Sequence, residues 1–249
     1  YLNSFCFGFR LNDVFYDKYN PDFLKHLFRD KNFRNEIITC SFGVTRYNLS
    51  KEKFLKIKIP CPPLEVQEEI VQILDKFGEL EAELEAELEA RKSQYEFWRA
   101  ELLKLENIEY ESIPLSEVYE FKYGTGNTIP DVGGPYPVYG SNGIVGTHNE
   151  WNSEDAPVIG HIGAYAGIIN WAPGKHFVTY NGVICKKIND NIDARYAYYL
   201  LRNENFLSEQ KGAQPFVSYD VLKKPIVKIP DISTQRKIAD ILDKFDKLI

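Results

Sequence analysis

The chain has 249 residues, of which 44 % are apolar and 14 % aromatic, and its formal net charge is −6. Apolar content at that level supports packed cores and excludes a globally disordered polymer. No uninterrupted apolar run reaches the roughly 18 residues of a membrane-spanning helix. The charge is uneven: between Gly78 and Ser112 eleven glutamates stand against four basic residues, so this stretch alone outweighs the net charge and leaves the remainder close to neutral. That remainder is no basic footprint. Composition therefore neither supports nor excludes nucleic acid, and any contact with it must rest on local patches and partner subunits.

Along the chain, Tyr1-Leu2-Asn3 is no signal segment and there is no Met, so the sequence reads as starting inside a longer protein. A helix is predicted over about residues 21–34, then a loop at Gly43 and a short strand ending at Ile59-Pro60, where proline removes an N–H and fixes φ. From Glu65, apolar residues at 66, 70, 73, 74 and 77 make a helical stripe. Leu80, Leu84, Leu88, Tyr95, Trp98, Leu102 and Leu105 extend it with no Gly or Pro between 79 and 113. A helix over 65–106 would be about 60 Å long and needs another helix against its stripe. Inside it, Glu79-Leu80-Glu81-Ala82 recurs at 83–86 and 87–90. Each unit turns an ideal helix by about 400°, so the leucines drift roughly 40° per unit. That suits length adjustment better than a regular seam, and the glutamates read as a solvated face.

Residues 113–226 are rich in Gly, Tyr, Asn and Pro, with strands predicted at 156–162, 167–171 and 183–188. Closely spaced turn signals (Gly133-Gly134-Pro135, Ser141-Asn142-Gly143, Pro173-Gly174) argue for a mostly β domain with a helix near its end, over about 194–210.

The chain repeats itself. Ile59-Pro60, Gln67 and Ile73-Leu74-Asp75-Lys76-Phe77 recur as Ile229-Pro230, Gln235 and Ile241-Leu242-Asp243-Lys244-Phe245. Upstream, Phe23, Leu27, Phe28, Arg29 and Phe33 parallel Tyr196, Leu200, Leu201, Arg202 and Phe206. A period near 170 residues is too long for a solenoid and implies duplication of a whole domain-plus-helix module.

Catalytic signatures are weak. Cys61-Pro62-Pro63-Leu64 lacks the acidic or amide residue that adenine-methyltransferase chemistry needs before its prolines, and Gly124-Thr125-Gly126 lacks the third glycine of a dinucleotide loop. A nuclease grouping of Asp131 with Glu209 and Lys211 matches by chance, since Asp131 and Glu209 lie 78 residues apart. The cysteines at 6, 40, 61 and 185 are read as small buried hydrophobes in a reducing compartment. The histidines at 26, 148, 161 and 176 do not cluster in sequence, so no metal is expected and a cytoplasmic location is the default.

Three stretches together carry a family resemblance: Pro135-Tyr136-Pro137-Val138-Tyr139-Gly140-Ser141-Asn142-Gly143-Ile144, Val158-Ile159-Gly160-His161-Ile162-Gly163-Ala164-Tyr165-Ala166-Gly167, and the twice-used Ile-Pro…Gln…Ile-Leu-Asp element. In combination they resemble the specificity subunit of type I restriction–modification systems. The resemblance implies an α+β protein: mostly β target-recognition domains with associated helices, separated by a long helix that pairs as an antiparallel coiled coil. On this reading residues 1–64 are the C-terminal part of a first target-recognition domain and 65–112 the conserved spacer helix. Residues 113–232 are then the second recognition domain and 233–249 the start of the second conserved helix. The implied function is non-catalytic reading of a bipartite target in double-stranded DNA, with a gap tuned by the Glu-Leu-Glu-Ala units. The implied partners are modification subunits, which methylate adenine and bring S-adenosylmethionine, and motor-nuclease restriction subunits. The chain itself would hold no cofactor, and no membrane is involved. A competing reading, favoured by the acidic helix, is a duplicated coiled-coil adaptor that binds proteins.

For such a reader the candidate contacts are polar, aromatic or basic residues in loops beside the family motifs. Ser141 and Asn142 lie in a Gly-bracketed turn, where plain turn chemistry also explains them. His161 and Tyr165 sit among glycines that let a duplex approach, although both also fit ordinary packing. Lys211 suits a phosphate, Gln214 an adenine edge, and Phe216 follows them; Arg46 and Tyr47 occupy the comparable loop of the first half.

Overall fold

The computed structural model describes residues 6, 8, 10–44, 47–126, 129–130, 132–207 and 214–248. The chain divides into two compact units, Tyr1–Glu89 and Ala90–Ile249.

In the first unit a 3₁₀ turn (Asp13–Lys18) leads to α1 (Pro21–Leu27) and α2 (Lys31–Thr39). The strands β1 (Ser41–Phe42) and β2 (Asn48–Leu49) pair antiparallel, and α3 (Lys51–Phe54) and α4 (Leu64–Lys104) follow. The single helix predicted over 21–34 is thus two. Asn20 caps α1 through the N–H groups of Asp22 and Phe23, and Asp30 restarts the chain by accepting from Asn32 and Phe33. The break turns Phe28 onto Phe33, ring centroids 4.9 Å apart; Phe23, Leu24, Phe33 and Cys40 are buried apolar residues of this unit's helices and their ends.

Helix α4 has 41 residues, so it is about 60 Å long at about 1.5 Å per residue. It stops where Leu105 (φ 55°) and Asn107 (φ 60°) enter the left-handed region.

The second unit opens with the end of α4, β3 (Glu111–Pro114), α5 (Leu115–Val118) and β4 (Tyr119–Tyr123). Strands β5 (Tyr136–Gly140), β6 (Gly143–His148), β7 (Ser153–Gly160), β8 (Ile169–Val178) and β9 (Gly182–Lys187) follow. Then come α6 (Ala194–Asn203), α7 (Tyr219–Lys223), β10 (Ile226–Ile229) and α8 (Ile232–Asp246). Six strands form one sheet in the order β4-β9-β7-β8-β5-β6, antiparallel throughout except for the parallel β5–β8 pair. The sheet bends at a bulge where Asp155 (φ 42°) meets Gly174 (φ 62°), whose N–H donates to the Asp155 carboxylate at 2.7 Å. Successive residues of a strand point to opposite faces, and here both faces are buried. Val158 and Ile184 pack with Tyr139, Ala172 and Val178, while Ile159, Val183 and Cys185 pack under Tyr196, Tyr199 and Leu201 of α6. Gly and Pro interrupt the alternation of β5 and β6, which the sequence reading does not predict; β4, Tyr119-Glu120-Phe121-Lys122-Tyr123, alternates cleanly and is a strand signal that reading leaves unused. The helix predicted to 210 ends at Asn203, where Glu204 is extended.

The duplicated sequence folds into a duplicated clasp. In the first unit the buried Gln67 accepts from the Asn20 N–H at 2.8 Å and donates to the carbonyls of Lys18 and Pro62, both at 2.8 Å. In the second, the buried Gln235 accepts from the Asp193 N–H at 2.8 Å and donates to the carbonyls of Pro230 at 2.8 Å and Asn191 at 3.4 Å. Each glutamine thus joins the capped start of a module helix to the turn before the next one. A second tie also recurs. Asp75 meets His26 Nε2 at 2.8 Å and Lys25 Nζ at 3.2 Å, while Asp243 accepts from Tyr199 at 2.5 Å and Arg195 Nε at 2.9 Å. Partial burial works against the Asp243 carboxylate, but the Arg195 and Tyr199 hydrogen bonds hold its pKa below the usual value. Hydrogen bonds from His26 and Lys25 hold the Asp75 carboxyl down as well.

Two differences between the copies have a physical cause. The Ile-Pro strand exists only in the second: β10 pairs antiparallel with β3, whereas residues 57–59 have no such partner among the described residues and form no strand. The helix stripes also differ. In the second unit Leu242 is fully buried and Phe245 packs on a core that includes Tyr95 and Leu103 of α4. Lys228, just before α8, donates to the Lys104 carbonyl at 2.8 Å, and Tyr95 lies 5.2 Å from Arg202, which pairs with Asp246 at the far end of α8. The end of α4 and α8 therefore run antiparallel. In the first unit the equivalent Leu74 is 39 % and Phe77 65 % exposed, and Leu80, Leu84 and Leu88 are exposed with them. The cysteines also depart from expectation: Cys40 and Cys185 are buried, but Cys6 and Cys61 are exposed.

His176 of β8 is fully buried against Tyr139; its Nδ1 meets the Gly174 carbonyl at 2.8 Å and its Nε2 has no hydrogen-bond partner among the described residues. Burial pushes its pKa below the usual 6.5, partly opposed by that carbonyl and by Asp155 and Glu154. Below pH 6.5 the unfolded chain takes up a proton that the folded one refuses, so stability falls with pH, by at most about 1.4 kcal/mol per pH unit. Thermal melts between pH 7.5 and 5.5 should show this slope, and His176→Phe should flatten it.

Candidate nucleic-acid interface

Five segments of the second unit meet at one place on the sheet. The β5–β6 turn is tied in by Ser141, whose hydroxyl donates to the carbonyls of Asn181 at 3.1 Å and Ile162 at 3.3 Å. The His161 N–H donates to the same Asn181 carbonyl at 2.8 Å. Residues 214–217 close over the 161–163 segment: Gly163 N–H donates to the Pro215 carbonyl, Val217 N–H donates to the His161 carbonyl, and Ile162 bridges Phe216. The segment after β4 joins through Tyr180, whose N–H donates to the Gly126 carbonyl at 2.9 Å.

Glycine is required where these segments touch. A Cβ on Gly160 would press on the Tyr165 carbonyl oxygen and sit 2.5 Å from that of Ser141. Gly163 (φ 88°) and Gly167 (φ 81°) turn the intervening loop through the left-handed region.

The result is an aromatic footing with polar and aromatic groups above it. His161 is only 7 % exposed, its Nδ1 2.9 Å from the Val217 carbonyl. Its ring packs on Tyr123 at 4.4 Å, which stacks on Tyr219 at 4.1 Å, and Tyr180 stands edge-on to it at 5.5 Å. Burial, then the neighbouring Tyr219 and Tyr180, raises the Tyr123 pKa, so its phenol stays neutral. The exposed side chains are Asn142, Tyr165, Tyr180, Gln214 and Phe216, and Lys223 lies 6.0 Å from the Tyr219 ring.

The structure thus gathers Ser141, Asn142, His161, Tyr165, Gln214 and Phe216. Of the two readings of His161, contact with a duplex and ordinary packing, the structure shows the second: it is buried and holds loops together, because the 214–217 segment covers it. Lys211 and Arg46 lie outside the described residues. Tyr47, in the first unit, is exposed between β1 and β2. Sequence reasoning missed Tyr123, Tyr180, Asn181, Tyr219 and Lys223. The one available signal was Asn181-Gly182, a turn dipeptide between two strand-like runs, although the strands it joins do not pair with each other. Among the described residues no group of His, Cys, Asp and Glu could hold a metal ion, and no helix is long and apolar enough to cross a membrane.

Two copies of a clasped helix module, joined by one long helix and carrying a loop-built polar and aromatic face, define a duplicated, helix-linked protein. The type I restriction modification DNA specificity domain model matches residues 1–90 and again 107–249. A putative type I specificity subunit of Mycoplasma pneumoniae is 30 % identical over 210 residues, covering 78 % of this chain and 82 % of the relative. The specificity subunit of the EcoprrI type I restriction enzyme of Escherichia coli is 36 % identical over 217 residues, covering 79 % of this chain and 53 % of the relative. The crystal structure of a type I restriction–modification S subunit from Mycoplasma genitalium superposes with a TM-score of 0.61 at 20 % identity, covering 92 % of this chain and 67 % of that one. The chain belongs to the type I restriction–modification DNA specificity family. It spans about four fifths of the Mycoplasma pneumoniae relative and about half of the Escherichia coli one.

Proposed function

We propose that the chain reads DNA sequence, without catalysing a reaction, for a type I restriction–modification complex in the cytoplasm. The observation that carries this reading is the convergence of five segments on a pre-organised face of exposed amide and aromatic groups, the chemistry of base-edge and stacking contacts. Residues 113–232 act as one target-recognition domain and 1–64 as the C-terminal part of another. Residues 65–112 form the spacer, and 233–249 start the second conserved helix. Asn142, Tyr165, Gln214 and Phe216 contact DNA, Lys211 takes a phosphate, and Ser141 and His161 hold the loops. Arg46 and Tyr47 serve the first domain. Modification subunits supply S-adenosylmethionine-dependent adenine methylation, and restriction subunits supply cleavage. The protein-adaptor alternative, drawn from the acidic helix and the weak positive charge, is not supported: the family match and the relatives named as specificity subunits go against it.

The test is selection of bound sequences from a random DNA pool, with the chain assembled with its modification subunits at about 0.15 M salt. Two short motifs at a fixed gap are expected, with binding that weakens as salt rises. No enrichment would return the adaptor. Deleting Glu83–Ala86 shortens α4 by about 6 Å and rotates it by about 40°, so the same selection should show a changed gap with unchanged motifs. An unchanged gap would remove the length-adjusting role.

A further inference from the structure

We infer that Asn181, in the turn between β8 and β9, is a specificity-determining residue that reads an adenine; this rests on the DNA-reading function proposed above. Three observations carry it. First, the main chain at Asn181 is fixed at the point where the loops meet: its carbonyl accepts from the Ser141 hydroxyl at 3.1 Å and the His161 N–H at 2.8 Å. The next residue, Gly182, has no room for a Cβ, which would lie 2.8 Å from Val178 and 2.9 Å from Val158. Second, the Asn181 carboxamide, half-buried at the base of the face, makes no hydrogen bond among the described residues. The backbone is thus held in place while the side chain's donor and acceptor are left unspent. Third, the flanking Tyr180 is 47 % exposed and braced edge-on against the buried His161. It gives the turn a flat apolar surface beside the free amide.

A carboxamide offers one acceptor and one donor side by side, the complement of the N6 and N7 edge of adenine in the major groove. A carboxylate offers acceptors alone and suits the N4 amino group of cytosine. The fold spends the backbone of Asn181 and not its side chain, so side-chain replacement leaves the loop junction intact.

The experiment is the random-pool selection on the assembled complex, run in parallel for the unaltered chain, Asn181→Ala and Asn181→Asp, with thermal melts of each. The expected result is unchanged melting and a motif in which one adenine loses roughly tenfold or more of its preference in Asn181→Ala. That position should move toward cytosine in Asn181→Asp, with every other position kept. Motifs identical in all three proteins would overturn the role of Asn181 and leave the DNA-reading function standing. Even loss at all positions in both variants would mark a structural residue and also overturn it. No motif from the unaltered chain would remove the function and this inference together.

Discussion

Replacing Gln235 with leucine is expected to destabilise the second unit by about 3 kcal/mol and to lower its melting temperature by roughly 10 °C. The side chain is 1 % exposed and satisfies three main-chain groups, the Asp193 N–H and the carbonyls of Pro230 and Asn191. Leucine fills similar volume and pairs with none of them. Burying a donor or acceptor without its partner costs about 1–3 kcal/mol each; the longer Asn191 contact adds least. Gln67→Leu should act equally on the first unit, where the same three bonds are all 2.8 Å. Calorimetry of each variant should show the loss confined to the unit that carries the change. A leucine variant as stable as the parent would mean that the clasp is incidental to the module.

Gly160→Ala is expected to cost about 3 kcal/mol by overpacking and to weaken specific DNA binding at least tenfold. The added Cβ would meet backbone oxygens of Tyr165 and Ser141, which cannot rotate away as a side chain would. Relief requires the β5–β6 turn or the 161–167 loop to move, and both build the face. Binding should fall more than at Gly163, where a Cβ meets nothing within 4 Å and only the φ of 88° resists substitution. Titration of the selected DNA with each variant distinguishes the two; equal losses would contradict this account of the loop junction.

The duplication was legible because its strongest signals are the residues that hold the module together. Gln67 and Gln235 align because each satisfies the same three backbone groups, and Asp75 and Asp243 align because each ties two helices. The long helix was legible from its period and its lack of Gly and Pro, and its end fell two residues early because Leu105 and Asn107 take left-handed backbones. The order of the sheet was not legible, since β4 and β5 pair with strands far away in sequence: Tyr119 with Lys187, and Tyr139 with Val178. The site was half legible. Motif turns pointed to Ser141, Asn142, Tyr165 and Phe216, but the burial of His161 depends on the 214–217 segment folding over it. Tyr123, Tyr180 and Asn181 reach the face only through long-range pairing.

The most direct test of the central claim is hydrogen exchange of the assembled complex with and without its selected DNA. New protection is expected at residues 141–142, 160–167, 179–181 and 214–217 together, with α6 and the Gln235 clasp unchanged. DNA binding that leaves those four segments unprotected would contradict it.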